Sequence, residues 1–441
     1  MSLRHRLVSQ STVLFGTRLI GAGLIFLVQV AIARFLGATV LGEYILVMAS
    51  VNIIAVVMPL GFEATGTYFA AEYRANGQGR LLRGFMARAY GHIALTSLLV
   101  LIAGYPVAGW FGEPGRVLQA HWLPAAVLCL ATALVFVSGA LLVGLKRPFA
   151  GFFAETLFRP LLAIAGFALA LLLGGGAGAI DLLLWVLAAG YMAVALVQLA
   201  VLLGTVAAVP LEAEERPKEW QRWWHFALPW IALVVAGDFF FDIDLLLLSG
   251  HLSHEELAVF GVCTRVFSLV SFGVGAVYAV TMPDMFESQA VADRDGFHAK
   301  IGEANLIASG LSLLLLAAVV VLSPLAFMLF GATFQAGVVP LAILCLGLVV
   351  RSMFGPGSMM LSVHNRPYAT LPAVAVSLAV LLVMNFVLVP AFGLTGAASA
   401  ALIAITVWSG ALWFTALRVS GVDVSIRARL FRPKTTLRPA E

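Results

Sequence analysis

The sequence predicts an all-α polytopic membrane protein, with twelve transmembrane helices arranged in two six-helix lobes around a central cavity. The first observation is composition: 62% of the 441 residues are hydrophobic and only 11% are charged, whereas soluble domains are about half apolar. The second is a series of apolar stretches, each long enough to cross a bilayer. The third is a strong bias of basic residues toward one set of connecting loops.

A transmembrane helix needs about 20 apolar residues to cross roughly 30 Å of hydrocarbon. The stretches that meet this requirement are 10–33, 44–70, 89–111, 119–143, 149–172, 180–206, 223–249, 256–282, 302–330, 334–361, 368–390 and 394–418. The basic N-terminus resembles a signal peptide, but Arg18 interrupts its apolar run, so we expect a retained first span. Membrane helices tolerate internal proline and can kink there. The candidates for such kinks are Pro59, Pro229, Pro324, Pro356 and Pro372.

Basic residues in the loops predict the orientation of these spans. With both termini inside, the inner segments carry twenty Lys and Arg residues and the outer segments carry two, Arg34 and Arg116. Cytoplasmic loops carry such an excess of basic residues. We therefore expect a multi-pass protein with both termini in the cytoplasm.

The longest inner connection before the tail divides the predicted spans into halves. It covers residues 207–222, so we expect an N-terminal lobe at 1–206, a C-terminal lobe at 223–418 and a basic cytoplasmic tail at 419–441. "ARFLGATVLGEYILV" and "SGHLSHEELAVFGV" lie at matching places in the two halves, about 216 residues apart. Parallel repeats of this kind are typical of transporters that bind substrate between the halves. No loop is long enough to form a soluble domain.

Four arginines lie inside predicted spans, where a cation costs about 2.5–3.5 kcal/mol. At 1.5 Å per residue, Arg18, Arg159, Arg265 and Arg351 all lie roughly 12–15 Å deep. A shared depth favours a water-filled cationic chamber, and guanidinium groups bind diphosphate well. The competing interpretation is neutralisation by carboxylates. Glu155 precedes Arg159 by four residues, the spacing of a structural helix-surface pair, whereas Arg18 and Arg265 have no acid at that spacing.

Acids also lie in or near the spans: Glu63, Glu155, Asp238, Asp242 and Asp244. Asp238 and Asp242 are four residues apart and share a face of a regular helix, whereas Asp244 points elsewhere, near the outer helix end. Two neighbouring carboxylates that cannot easily both ionise favour binding of a proton. The sequence leaves two roles open for these acids, ion coupling and salt bridges to the arginines.

Metal sites and cofactors are not expected. The eight histidines are scattered, and the three cysteines lie in apolar runs without the spacing of a disulfide or zinc site. We expect no nucleic-acid partner.

Several motifs together resemble one family. They are "ARFLGATVLGEYILV" (33–47), "FRP" in the fifth span, "FDIDLLLLSG" around Asp244, and "NFVLVPAFGLTGAASA" (385–400) before the last span. In order and position they resemble the polysaccharide-transport branch of the multidrug/oligosaccharidyl-lipid/polysaccharide (MOP) exporter superfamily. The resemblance covers essentially the whole chain.

This resemblance implies a flippase that moves a polyprenyl-diphosphate-linked oligosaccharide across a bacterial inner membrane. The cargo would be an O-antigen, capsule or exopolysaccharide repeat unit, moved by alternating access coupled to H⁺ or Na⁺. Membrane lipids and a glycan polymerase or export machinery are the other implied partners. Arg18 and Arg265 occupy places comparable to those of the diphosphate-receiving arginines of lipid II flippases. Twelve predicted spans, instead of the fourteen of that group, argue against a peptidoglycan substrate.

Two other functions remain in view. A multidrug or cation antiporter of the same superfamily uses acids in its first or tenth helix, where this chain has Arg18 and Arg351. A membrane glycan polymerase or ligase typically has a large outer loop, which this sequence lacks. We therefore expect a transporter without enzymatic activity.

Overall fold

All elements that the computed structural model describes are helices, the form in which a spanning segment satisfies its own backbone hydrogen bonds. The structure describes residues 3–173, 178–210, 219–290, 294–364, 366–421 and 423–427. Parts of the predicted linker (211–218) and of the basic tail (428–441) lie outside these ranges. In chain order the α-helices are α1 Leu3–Phe35, α2 Ala38–Val57, α3 Phe62–Ala75, α4 Gly79–Ala108, α5 Glu113–Ala120, α6 Trp122–Gly144, α7 Pro148–Phe153, α8 Arg159–Leu172, α9 Ala179–Ala207, α10 Glu219–Asp238, α11 Phe240–Leu248, α12 His254–Ala290, α13 Arg294–Met328, α14 Val338–Phe354, α15 Gly357–Val363 and α16 Leu371–Ser420.

Ten helical stretches in the described part of the chain are long and apolar enough to cross a membrane. The protein is therefore an all-helical, multi-pass membrane protein. This count differs from the predicted twelve at two places. The stretch Pro367–Ser420 contains the last two predicted spans, and the predicted span 223–249 is not among the ten.

α16 explains the first difference. Its 50 residues would form a rod about 75 Å long, more than twice the roughly 30 Å of hydrocarbon in a bilayer. The helix is broken at Gly393, whose φ of 53° and ψ of −129° are not helical. This break lies between the predicted spans 368–390 and 394–418.

A second break divides the predicted span 223–249. α10 ends at Asp238, Phe239 has non-helical torsion angles (φ −111°, ψ 21°), and α11 begins at Phe240. The two pieces are 20 and 9 residues long. The acids of this segment therefore lie on two different helices.

A third break separates α2 from α3 within the predicted span 44–70. Pro59 disrupts the helix because its ring removes an N–H donor, and Leu60 and Gly61 follow with φ of 53° and 82°. A β-carbon on Gly61 would lie 2.2 Å from the carbonyl oxygen of Ala227, so only glycine lets α10 approach this closely. Leu60 adopts a conformation that is rare for a residue with a side chain.

The effect of the other prolines depends on position. Pro356 lies between α14 and α15, and Pro372 lies in the first turn of α16, where a missing N–H has no cost. α10 and α13 continue through Pro229 and Pro324.

By internal contacts the chain divides into two compact units, Met1–Gly261 and Val262–Glu441. The first unit holds α1 to α11 and the start of α12. The second holds the remainder of α12 and α13 to α16. The assignment of lobes to 1–206 and 223–418 stays a prediction.

At the start of α10, Arg222 joins this helix to α3. Its two terminal nitrogens donate to Glu72 at 2.9 and 2.7 Å, and one also donates to Glu219 at 2.8 Å. The hydrogen bonds to Glu72 hold the pKa of Arg222 above its usual value. Glu219 also accepts from Tyr73 at 2.7 Å, and Trp223 donates to the Tyr73 oxygen at 2.6 Å. Burial raises the pKa of the Tyr73 hydroxyl.

In the second unit, the segment after α16 folds back onto the helices. Val424 is completely buried, and its carbonyl accepts a hydrogen bond from the buried side chain of Asn305. Asp423 accepts from Trp413 at 2.8 Å and from the Ser425 backbone N–H at 2.9 Å. Burial raises the pKa of Asp423, but the hydrogen bonds from Trp413 and Ser425 outweigh it, and the net shift is downward.

Candidate functional site

A chain of hydrogen bonds crosses the interior of the first unit. The Arg159 guanidinium donates to the side-chain oxygen of Asn52 at 2.8 Å, and the amide nitrogen of Asn52 donates to Asp242 at 3.3 Å. Asn52 and Asp242 are 8% and 6% exposed. The Arg159 guanidinium also lies over the Tyr191 ring, 5.6 Å from its centroid. One uncharged amide thus joins a predicted diphosphate-binding arginine to a predicted ion-coupling acid.

Arg159 reaches Asn52 from a widened turn of helix. Residues Ala154–Phe158 form a π-helix between α7 and α8, and the Arg159 backbone N–H donates to the carbonyl of Ala154, five residues back. Pro160 follows and has no N–H to continue the α-helical pattern. Such π-turns are rare and often occur at functional sites.

The predicted structural pair between Glu155 and Arg159 was wrong. Glu155 lies within the π-turn and Arg159 follows it directly, so the i,i+4 geometry of a regular α-helix does not apply between them. In the described part of the chain, the Arg159 guanidinium donates to Asn52 and lies over the Tyr191 ring. Glu155 is exposed.

The helix break at Phe239 also corrects the prediction for the aspartates. Asp238 is exposed at the end of α10, whereas Asp242 is buried in the first turn of α11. They therefore do not share a face of one continuous helix. Asp244, which we predicted near an outer helix end, is completely buried.

Arg18 lies on α1, next to the π-turn. Its guanidinium stacks on the Phe152 ring, 4.8 Å from the centroid, and its side chain is exposed. One turn later on α1, a β-carbon on Gly21 would lie 1.8 Å from the carbonyl oxygen of Thr156. A glycine at this position therefore lets α1 pack directly on the π-turn.

Three acids interact electrostatically in the same unit. Asp238 interacts with Glu155 and with Arg18, and Glu63 interacts with both Asp238 and Glu155. Glu63 lies in the first turn of α3, immediately after the break at Gly61. These interactions link four charged side chains, which come from α1, α3, the π-turn and α10: Arg18, Glu63, Glu155 and Asp238. Asp242 accepts a hydrogen bond from Asn52.

The second unit contains the other two predicted arginines. Arg265 is half-buried on α12. Arg351 lies on α14 with its guanidinium over the Trp408 ring, 5.9 Å from the centroid. Nearby polar groups on this unit are also paired: the Tyr278 hydroxyl donates to Asn305 at 3.0 Å, and the hydroxyls of Ser312 and Ser352 are 2.9 Å apart.

Uncharged residues were missing from the prediction. Asn52 is the clearest case, since it lies in the apolar run "MASVNIIAVV" and carries no charge. A polar amide inside a membrane span is costly unless it is paired. This cost could have indicated that Asn52 has a hydrogen-bond partner. The partners themselves, Arg159 and Asp242, are 107 and 190 residues away in the chain.

Chemically, the first unit offers an exposed guanidinium for an anion and a group of carboxylates for a cation. Guanidinium groups form bidentate hydrogen bonds with phosphate oxygens. Carboxylates that repel one another gain from binding a proton or a metal cation. Both kinds of group lie within or next to membrane-spanning helices, where isolated charges are expensive.

Comparison with known proteins identifies the family to which this chain belongs. A family profile described as polysaccharide biosynthesis protein matches residues 7–289. No curated protein matches the chain in sequence.

Solved structures share the fold at low sequence identity. An inward-facing multidrug resistance MATE family transporter of the MOP superfamily matches with a TM-score of 0.74 and 14% identity, covering 91% of this chain and 95% of that one. The lipid II flippase MurJ in an inward closed conformation matches with a TM-score of 0.73 and 14% identity, covering 91% and 87%. An outward-facing MATE family transporter matches with a TM-score of 0.65 and 14% identity, covering 92% and 94%.

Proposed function

Since this chain belongs to the family of polysaccharide biosynthesis proteins and has the fold of the MOP superfamily, we propose that it is a flippase for lipid-linked oligosaccharides. Its substrate is a polyprenyl-diphosphate-linked repeat unit of an O-antigen, capsule or exopolysaccharide. It moves this substrate across the bacterial inner membrane by alternating access, driven by an ion gradient. No covalent bond is made or broken, so the proposed activity is transport and not catalysis.

One observation carries this proposal: an exposed guanidinium and three carboxylates are linked by electrostatic interactions within the first unit. Arg18 lies on a helix long and apolar enough to span a membrane, and it interacts with Asp238, which interacts with Glu155 and Glu63. Ionisable groups in membrane spans are rare and usually serve transport.

The arginines suit a diphosphate. Arg18 is exposed and stacked on an aromatic ring, which restricts its motion and leaves its N–H groups available. Arg159 is held by Asn52. We propose diphosphate binding also for Arg265 and Arg351 of the second unit. The fold is shared with a protein described as a lipid II flippase, which supports a lipid-linked cargo.

The acids suit ion coupling. Glu63, Glu155 and Asp238 repel one another when ionised, so a proton or sodium ion bound among them stabilises the group. Asp242 is placed differently, because Asn52 connects it to Arg159. A change of charge at Asp242 therefore alters the hydrogen bonding available to Arg159. We propose that this amide transmits ion binding to the substrate-binding arginine.

We propose further that twelve spans form two six-helix lobes, with both termini in the cytoplasm. Counting Pro367–Ser420 as two spans on either side of Gly393, and α10 with α11 as one broken span, gives this number. The excess of basic residues in the inner loops supports the orientation. Membrane lipids and a glycan polymerase or export machinery are the proposed partners.

A cation or drug antiporter is the second candidate, favoured by the same acids and by the fold shared with MATE transporters. In such a protein the acids bind the cargo and the arginines balance their charge. In a flippase the arginines bind the cargo. Removal of an acid should therefore abolish cargo binding in an antiporter, whereas removal of an arginine should abolish it in a flippase.

Transport in vesicles decides between them. Purified protein is reconstituted with a fluorescent undecaprenyl-diphosphate oligosaccharide, and the fraction reaching the far leaflet is measured by accessibility to a glycosidase. We expect flux that depends on an ion gradient, with no efflux of a cationic dye such as ethidium. Dye efflux without glycan movement would instead establish the antiporter.

A further inference from the structure

Six charged or titratable residues form a network at the end of the first unit that the charge bias assigns to the outside. The network, called the outer network below, consists of Glu43, Glu113, Arg116, His121, Asp181 and His254. Glu43 lies on α2, Glu113 and Arg116 on α5, and Asp181 in the first turn of α9. His121 separates α5 from α6, and His254 begins α12. The network thus connects the outer ends of five helices.

His121 is almost completely buried, and both of its ring nitrogens face carboxylates. Nδ1 lies 2.6 Å from Asp181, and Nε2 lies 3.9 Å from Glu43. Its side chain is only 9% exposed, against 50% for Asp181. Water therefore has little access to the imidazole, and the carboxylates are its polar surroundings.

His254 repeats this arrangement with different partners. Nε2 lies 3.1 Å from Glu113, and Nδ1 lies 3.6 Å from the other oxygen of Glu43. Glu43 therefore stands between the two imidazoles, with one carboxylate oxygen toward each. α12 also approaches α2 very closely here, because a β-carbon on Gly42 would lie 2.0 Å from the His254 carbonyl oxygen.

Two carboxylates facing one imidazole suit its doubly protonated form. A neutral imidazole has one N–H and one lone pair, so it can donate to only one of two carboxylates. Its lone pair then faces the other carboxylate without a hydrogen bond. The imidazolium donates from both nitrogens and carries the compensating charge.

The charge balance of the outer network leads to the same conclusion. With neutral imidazoles, three carboxylates are opposed by Arg116 alone, which is paired with Glu113 and is 71% exposed. Protonation of both imidazoles brings the sum of formal charges from −2 to zero. Other charged or titratable residues at this end include Arg34, Tyr105, His251, Glu255 and Glu256. Glu255 accepts from Thr39, and Glu256 accepts from Ser253 at the start of α12.

We propose that the outer network is a proton-controlled latch. When His121 and His254 are protonated, they hold the outer ends of α2, α5, α9 and α12 together. When they lose their protons, the carboxylates repel one another and these helix ends separate more easily. Because protonation of the two imidazoles changes the charge of the outer network, the latch responds to the pH of the outer compartment.

Hydrogen–deuterium exchange of the full-length protein in lipid nanodiscs tests this latch. Exchange is measured at about pH 5.5 and about pH 7.5, on either side of imidazole titration, and corrected for the intrinsic rate. The relevant peptides cover residues 36–43, 112–122, 178–183 and 249–256. We expect several-fold slower exchange in these peptides at the acidic pH.

The double variant His121→Gln/His254→Gln should remove this pH effect, because glutamine keeps one N–H donor and cannot gain a charge. His225→Gln is the matched control, since His225 is an exposed histidine on α10. It should leave the effect unchanged. The latch is refuted if the double variant keeps the wild-type pH effect, or if wild-type exchange is faster at the acidic pH.

A third variant covers the case in which the double variant does not fold. Glu43→Gln removes the carboxylate that faces both imidazoles while preserving the shape of the side chain. It should weaken the pH effect in peptides 36–43 and 249–256. An undiminished pH effect in this variant would also overturn the latch.

Discussion

Arg159 donates a 2.8 Å hydrogen bond to Asn52, across 107 residues of sequence. The bond joins the start of α8 to the C-terminal part of α2 and continues through Asn52 to Asp242 on α11. Arg159 and Asp242 do not form a direct ion pair in the described structure. Both charged side chains form a hydrogen bond with the same Asn52 amide.

Replacing Asn52 should therefore affect both charges together. Asn52→Leu keeps the branched shape and the number of side-chain heavy atoms but leaves Arg159 and Asp242 without their shared partner in a poorly solvated region. We expect destabilisation of about 2–4 kcal/mol and a loss of transport, measured by thermal unfolding in detergent and by vesicle flux. Thr132→Val is the control, because the fully buried Thr132 hydroxyl has no hydrogen-bond partner in the described structure. Thr132→Val should leave the stability and the transport rate unchanged. An equal loss of stability in both variants would contradict a special role for Asn52.

Arg18 should be required for transport and dispensable for folding. Arg18→Ala removes the exposed guanidinium and should lower glycan flux about tenfold to a hundredfold, the range of one charge-assisted bidentate contact. Arg18→Lys should recover part of the flux. Protein abundance in the membrane should stay constant, as for the control Arg366→Ala in the exposed loop before α16. We expect the same loss for Arg265→Ala. Full flux in both Arg18→Ala and Arg265→Ala would exclude diphosphate binding by these arginines.

Asp238 should set the ion dependence of transport. Asp238→Asn keeps the shape of the side chain but removes one of three mutually repelling charges, so less is gained by binding a cation. We expect initial flux to become less sensitive to the proton or sodium gradient, measured across a series of imposed gradients. Glu303→Gln, an exposed acid on α13, should keep the wild-type dependence. A wild-type gradient dependence in Asp238→Asn would make this acid structural.

Gly21 should be intolerant of any side chain. The β-carbon of Gly21→Ala would lie 1.8 Å from the carbonyl oxygen of Thr156, so α1 must move off the π-turn that precedes Arg159. We expect a cost of about 1–3 kcal/mol, seen as a lower thermal midpoint. Gly23→Ala is the matched control on the same helix, because no atom lies within 4 Å of its β-carbon. If the two alanine variants unfold at the same temperature, the close packing of α1 on the π-turn is not required.

Asp423 should stabilise the docked segment after α16 in a pH-dependent way. Its pKa is below the usual value of about 3.9, because hydrogen bonds from Trp413 and Ser425 outweigh burial. A lowered pKa in the folded state gives stability that is complete above the unfolded-state pKa and lost as pH falls through the lower folded value. Hydrogen exchange of residues 423–427, corrected for the intrinsic rate at each pH, should be slow and constant above about pH 5 and accelerate only at strongly acidic pH. In Asp423→Asn it should be faster throughout, and unchanged protection in this variant would contradict the role of the carboxylate.

The sequence predicted those features that depend on local composition. Long apolar runs predicted helices that can span a bilayer, and charge placement identified Arg18, Arg159 and the acids as unusual. Helix breaks were harder. Pro59 was recognisable as a candidate, but nothing around Phe239 in "AGDFFFDID" indicates a break. The assumption of regular helical phase across that residue made the relation between Asp238 and Asp242 wrong.

The partners of the charged residues were beyond prediction for a different reason. Spacing within one helix can be calculated from 3.6 residues per turn, but the meeting of α2, α8 and α11 at Asn52 is a tertiary contact. The histidines show the same limit. His121 and His254 are 133 positions apart in the sequence and looked scattered, yet Glu43 contacts both.

The π-turn at Ala154–Phe158 gives Arg159 a position that depends on chain length and not only on side-chain identity. A π-turn contains one residue more than the α-helical turn it replaces. Deleting a single residue there would restore an ordinary helix and rotate everything on one side of it by about 100°. The segment would still be apolar and still long enough to cross the membrane, but Arg159 would no longer face Asn52. The number of residues in this one turn is therefore constrained, just as the identity of a charged side chain is.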